Sequence, residues 1–156
     1  MSVRAVEEAL LQLVYLVVDD QEEARGELAA NLRAVGAKQI LTAASGAEAV
    51  GVLKASPRPV DLILSDIRMP DGNGLQLLQA LRTGQIKGMR MNATFVLATA
   101  FPEIGIIQTA SSLDANGFVV KPVNPVKFEA VLLKARRSVF PPNPGQHSSI
   151  FVPAEF

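Results

Sequence analysis

The chain is predicted to fold as an α/β domain: a five-stranded parallel sheet with helices on both faces. Three observations predict it. Short, unbroken apolar runs alternate with helix-length stretches whose apolar residues recur every three or four positions. The runs lack the polar alternation of half-exposed strands, so the sheet must be covered on both sides. Finally, 49% hydrophobic residues in a chain of 156 suffice for one core, with no cysteine to staple it.

The elements follow in order. Val3, Val6, Leu10 and Leu13 predict a short leading helix over 3–12. Val14–Val18 is the first strand and stops at Asp19-Asp20. Ala24, Leu28, Leu32 and Val35 set a helix over 22–35, which Gly36 ends. Gln39–Ala43 is a strand, and Ser45 with Glu48 forms a capping box for a helix through Lys54. Leu62–Leu64 is a third strand ending at Ser65-Asp66; the turn residues Met69–Gly74 follow, then a helix marked by Leu75, Leu78 and Leu81. Gly84–Asn92 is a long connection, either a mobile loop or a partner contact. Thr94–Ala98 ends at Thr99, a helix covers 103–114, and Gly117–Val120 ends at Lys121-Pro122. The last helix runs from about Pro125 to Arg137. The expected organisation is a leading segment over 1–12, one domain over 13–138 and a Pro-rich tail over 139–156, read as an extended arm or linker with His147 at its surface.

Composition removes several function classes. Without cysteine there is no thiolate metal site or cysteine nucleophile, and the lone histidine lies in the tail, which disfavours zinc. Lys plus Arg equals Asp plus Glu, so no general affinity for nucleic acid or membrane surfaces is expected. The Lys134, Arg136 and Arg137 cluster reads as ordinary placement at a helix C-terminus. The apolar run 9–18 is too short to span a bilayer, and Glu7 and Glu8 stand where a signal peptide would be basic. A soluble cytoplasmic protein is expected. No Gly-rich nucleotide loop is present.

In an open α/β sheet, ligands bind beyond the carboxyl ends of the strands. The strand assignments bring Asp19, Asp20, Asp66, Thr99 and Lys121 to that edge. Any one of them alone reads as a solvated strand end. Together, three carboxylates repel one another, and a hard divalent cation such as Mg2+ relieves the repulsion. A carboxylate beside that cation can attack phosphorus to form an acyl phosphate. Lys121 would offset charge on the phosphoryl oxygens, and the Thr99 hydroxyl would donate to one of them.

Val17-Val18-Asp19-Asp20, Ser65-Asp66-Ile67-Arg68-Met69-Pro70-Asp71-Gly72, Thr99-Ala100 and Lys121-Pro122 together resemble the receiver domain of bacterial two-component response regulators, over about residues 13–137. The resemblance implies a flavodoxin-like (βα)5 fold with strand order 2-1-3-4-5. It implies that Asp66 takes a phosphoryl group from a sensor histidine kinase or a histidine phosphotransfer protein. Asp20 would bind Mg2+ directly, Asp19 would assist, and the Arg68 carbonyl would be a further ligand. Thr99 and Lys121 would couple the phosphoryl group to the last two β–α units, whose face meets an output protein. Phe118 matches the switch aromatic, and the resemblance favours that role over the plain core phenylalanine that the position would otherwise suggest. Arg68 and Phe101 occupy positions that tune phosphate lifetime, and Phe101 would shield the acyl phosphate. The Lys121-Pro122 peptide is expected to be cis. The resemblance admits a homodimer. The residues after Arg137 are expected to be too few for a DNA-binding output domain, which leaves a stand-alone receiver or a piece of a larger regulator. Two other functions compete: a receiver-like binding module that takes no phosphate, and an aspartyl-phosphate phosphatase for small phosphoesters. Arg68 stands against the second, because such phosphatases often place an acid two residues after the nucleophile.

Overall fold

The structure is a computed structural model that describes residues 10–155. The leading helix expected over 3–12 therefore falls outside the described residues except at its end. There Leu10 is buried and its carbonyl accepts a hydrogen bond from the Tyr15 hydroxyl at 2.8 Å.

The five predicted strands form one parallel sheet: β1 Val14–Val18, β2 Gln39–Ala43, β3 Leu62–Asp66, β4 Thr94–Thr99 and β5 Gly117–Val120. Their spatial order is β2-β1-β3-β4-β5. Side chains alternate across the sheet. Val14, Leu16 and Val18 join Ile63, Phe95 and Leu97 in one core layer, while Tyr15 and Val17 join Leu62, Leu64 and Val96 in the other. Helices α1 (Glu22–Ala34) and α5 (Pro125–Arg137) cover the second layer through Leu28, Leu32, Phe128 and Leu132. Helices α2 (Gly46–Ala55), α3 (Gly74–Arg82) and α4 (Ile104–Ser112) cover the first.

Local chemistry sets the helix ends. The Ser45 hydroxyl accepts from Glu48 N, and the Glu48 carboxylate reaches back to Ala44 N rather than to the cap residue itself. Asn73 and Gln76 form the reciprocal capping box of α3, and Asn124 with Pro125 starts α5. Gly36, at φ +99°, closes α1 in the left-handed region.

Two expectations are corrected. The tail is not extended throughout. Pro144–Ser148 forms a further, short helix, α6, which packs against α3, and Ile150 and Val152 lie against the first core layer. His147 is not at the surface: it is 2% exposed, with Nε2 2.9 Å from Asp114 Oδ2. The Pro residues that bar sheet and mid-helix geometry are compatible with a helix start, where the missing N–H has no intrahelical acceptor in any case. As for the 84–92 connection, Ile86 is buried, and Arg82 donates to the carbonyls of Met91 and Ala93 at 2.8 Å, which ties the loop to α3.

Tyr15 is the only tyrosine of a chain without tryptophan, so its ionisation can be followed by ultraviolet absorbance. Burial pushes its phenol up to about 12, with Arg136 pulling down and Asp61 pushing up. The folded state thus prefers the neutral phenol. Its contribution to stability is complete below the ordinary tyrosine range and is lost as pH rises through about 12. The titration midpoint is expected to fall to about 10 when the protein is unfolded in denaturant.

Candidate phosphoryl-transfer site

The site is built by strand register. Val18 pairs with Ala43 and Ser65, Asp66 with Ala98, and Thr99 with Val120, so these strands end nearly level. The next residues along the chain, Asp19 and Lys121, emerge at that same edge. Asp19 is fully buried; its Oδ1 accepts from Gln21 N at 3.0 Å and its Oδ2 meets Lys121 Nζ at 2.6 Å. Lys121 Nζ also lies 3.7 Å from Asp66 Oδ1. Asp19, Asp20 and Asp66 each offer a carboxylate oxygen, all within 4.8 Å of one another.

Asp66 is held in place by its own backbone: Ile67 N donates to Oδ1 at 2.9 Å. The β3–α3 loop folds tightly behind it. Gly74 N donates to Ile67 O at 2.8 Å, and a Cβ on Gly74 would come within 2.3 Å of the Asp66 carbonyl oxygen. Only glycine fits there. Gly46 N and Ala47 N donate to Gly72 O and Asp71 O, fastening the loop to the start of α2.

Electrostatics mark Asp66 as the stressed carboxylate. Burial pushes its proton affinity up, Lys121 pulls it down, Asp19 pushes it up again, the Ile67 N–H lowers it, and Asp20 raises it; the net direction is upward. Three carboxylates form an all-oxygen donor set that fits a hard cation of the Mg2+ type.

The other predicted residues fall around this centre. Thr99 is buried, and its Oγ1 accepts from Phe101 N at 3.1 Å. That leaves its own proton for another acceptor. Phe118 is half-buried against the first core layer. The Phe101 ring is 70% exposed. The Arg68 side chain pairs with Glu103 at the start of α4, bridging the β3–α3 and β4–α4 loops. Glu103 escaped the sequence reading, as nothing in its neighbourhood marks it beyond a helix start. The Lys121-Pro122 peptide is cis.

The model of the response regulator receiver domain matches residues 15–133. This chain belongs to the response regulator receiver family. The receiver is 33% identical over 117 residues to a probable chemotaxis protein CheY of Rhizobium etli, covering 75% of this chain and 87% of that one. It is 37% identical over 109 residues to the sensory/regulatory protein RpfC of Xanthomonas campestris, of which it spans only 14%. It also spans 57% of the acid tolerance regulator ActR of Rhizobium meliloti, at 29% identity, with 76% of this chain covered. Among solved structures, the chemotaxis protein CheY4 of Vibrio cholerae superposes with a TM-score of 0.69 at 26% identity, covering 79% of this chain and 98% of that one. A CheX–CheY–BeF3–Mg2+ complex of Borrelia burgdorferi superposes at 0.68 with 25% identity, covering 78% and 87%. The receiver is thus a signalling domain of the two-component type, with the flavodoxin-like sheet order of its relatives. No helix among its described residues is long and apolar enough to cross a membrane.

Proposed function

We propose that this receiver accepts a phosphoryl group on Asp66 from a histidine kinase or phosphotransfer protein and thereby switches the binding of an output protein in the cytoplasm. The observation that carries the reading is the convergence of Asp19, Asp20 and Asp66 within 4.8 Å, with Lys121 Nζ beside two of them. Mg2+ held by Asp19, Asp20, Asp66 and the Arg68 carbonyl would supply charge neutralisation for an approaching phosphoryl group. One Asp66 carboxylate oxygen attacks phosphorus, an O–P bond forms, and the N–P bond of the phosphohistidine breaks. The bonding electrons stay on the imidazole nitrogen, which takes up a proton. Lys121 offsets charge on the phosphoryl oxygens, and the Thr99 hydroxyl turns its proton toward one of them. Thr99 and Lys121 end β4 and β5, so this rearrangement reaches the face of the last two β–α units. There the half-buried Phe118 would turn inward, and the exposed Phe101, Ile104 and Val120 offer apolar surface to a partner.

Incubation with acetyl phosphate and Mg2+, read by intact mass, tests the proposal. A single phosphoryl adduct that requires Mg2+ is expected, absent in Asp66→Asn. A folded, Mg2+-binding protein that takes phosphate neither from acetyl phosphate nor from a phosphorylated donor protein would favour a phosphate-independent binding module. In the same assay Phe101→Ala is expected to shorten the adduct's half-life, because the ring must fold over the site to exclude water. An unchanged half-life removes the shielding role.

A further inference from the structure

The tail crosses the receiver from one end of the sheet to the other. After α5, Asn116 Nδ2 donates to Ser138 O at 2.5 Å and Asn92 Nδ2 donates to Phe140 O at 3.1 Å, both near the amino ends of the strands. Helix α6 then sets His147 against Asp114. The Gln79 side-chain amide donates to His147 O at 3.0 Å and to Ile150 O at 2.7 Å. Ile150 and Val152 pack on the core while Phe151 points to solvent, the alternation of an extended segment. The segment finishes at the reactive edge, where Asn73 Nδ2 donates to Pro153 O at 2.9 Å and to Ala154 O at 3.1 Å.

The lengths agree. Gln79 and Asn73 are separated by a helical rise of about 9 Å. The extended residues from Ile150 to Pro153 span about 10 Å. The arm therefore runs antiparallel to α3 and is fastened at both ends of it by side chains of α3 and its cap.

Asn73 faces two ways. Its Oδ1 caps α3 by accepting from Gln76 N at 2.9 Å, and its Nδ2 holds the arm. It is also the last residue of the loop that follows Asp66 and carries the Arg68 carbonyl. Ala154 and Glu155 share an open cleft of about 480 Å3 with Arg68, Asp71 and Asn73. On the other side the same loop is fastened to α2 through Gly72 O and Asp71 O. The loop is thus held from both flanks, and the arm supplies one of the two.

We infer that the arm 143–155 is a positioning element for the Mg2+ site: seated through Gln79 and Asn73, it holds the β3–α3 loop so that the Arg68 carbonyl faces Asp19, Asp20 and Asp66. The inference rests on the proposed Mg2+-dependent function. Two events that order the same loop favour each other, so Mg2+ binding tightens the arm and a seated arm tightens Mg2+ binding.

Two full-length variants unseat the arm without touching a metal ligand. Gln79→Glu replaces the amide donor by a carboxylate that repels the His147 and Ile150 carbonyls, at a site remote from the reactive edge. Asn73→Ser keeps a helix-capping oxygen but loses the amide group that reaches the Pro153 and Ala154 carbonyls. Mg2+ affinity is measured by calorimetry, with Asp20→Asn as the control, and hydrogen exchange of the peptide over 149–156 is followed with and without Mg2+. Both variants are expected to weaken Mg2+ binding about fivefold or more, the lower end of ordinary coupling between sites. Mg2+ is expected to slow exchange of the peptide in the wild type and not in the variants. The added charge of Gln79→Glu would by itself favour a cation, so weaker binding there points to the arm. Asp20-dependent Mg2+ binding with equal affinity in wild type and variants, or arm exchange indifferent to Mg2+, overturns the inference and leaves the proposed function standing. Absence of Asp20-dependent Mg2+ binding in the wild type overturns both.

Discussion

Arg82→Leu is expected to destabilise the receiver by about 3–5 kcal/mol, a large fraction of the roughly 5–15 kcal/mol that holds an ordinary domain folded. Arg82 is 2% exposed at the end of α3, and its guanidinium is fully engaged. Nε donates to Leu113 O at 3.0 Å, Nη1 to Met91 O and Ala93 O at 2.8 Å, and Nη2 to Asp114 O at 2.8 Å and Asn116 Oδ1 at 3.0 Å. One side chain thereby joins α3, the loop before β4 and the turn between α4 and β5. Leucine fills part of the volume and leaves these acceptors without the donors that satisfied them. Burial lowers the Arg82 proton affinity to about 10 while Asp114 raises it, so the group remains a cation at neutral pH. Arg82→Lys should also be costly, since an ammonium has three donors and no planar fork to reach the same set. Thermal denaturation is the check: at roughly 2–4 °C per kcal/mol for a domain near this size, Tm should fall by about 10 °C. A shift of a degree or two would mean that water replaces the guanidinium.

Asp66→Asn is expected to abolish phosphoryl uptake altogether and, in the absence of Mg2+, to make the protein more stable. The amide keeps the oxygen that accepts from Ile67 N and removes a negative charge from the neighbourhood of Asp19 and Asp20. The sign follows from proton linkage. The Asp66 carboxyl has its affinity raised on folding, first by burial. Such a group supports the fold fully below its unfolded titration range, and that support is lost as pH rises through the folded one. At neutral pH the wild type therefore bears a cost that the variant lacks. The gap in Tm should be widest near neutrality, shrink as acid protonates Asp66, and narrow when Mg2+ is added to the wild type. A variant less stable than wild type at neutral pH without Mg2+ would show that the Lys121 pairing outweighs burial and repulsion.

Much of this site could be read from the chain because parallel strands buried on both faces have a plain signature. Val14–Val18 and Leu62–Leu64 are apolar until the sheet ends, so the first polar residues after them mark its edge. Asp19, Asp66, Thr99 and Lys121 were legible for that reason. Arg82 was not. A cation in the last turn of an amphipathic helix is the ordinary complement to the helix dipole, and its acceptors come from loops that only folding brings near. His147 was misread because a polar residue in a Pro-rich stretch normally meets water. Its partner Asp114 lies 33 residues away, and nothing local records the pairing. The Asn73 cap was seen only as turn chemistry, since its second use depends on carbonyls 80 residues downstream.

The path of the arm also decides where anything joined after residue 155 will stand. Helix α5 ends at the amino edge of the sheet, where Arg136 Nη1 donates to Thr94 Oγ1 at 2.9 Å. Ala154, by contrast, lies against Asn73 at the opposite edge. A fluorophore or affinity tag appended to the C-terminus would emerge next to the loop that follows Asp66. A label there doubles as a reporter of events at that carboxylate, whereas a bulky fusion would crowd the approach of a donor protein.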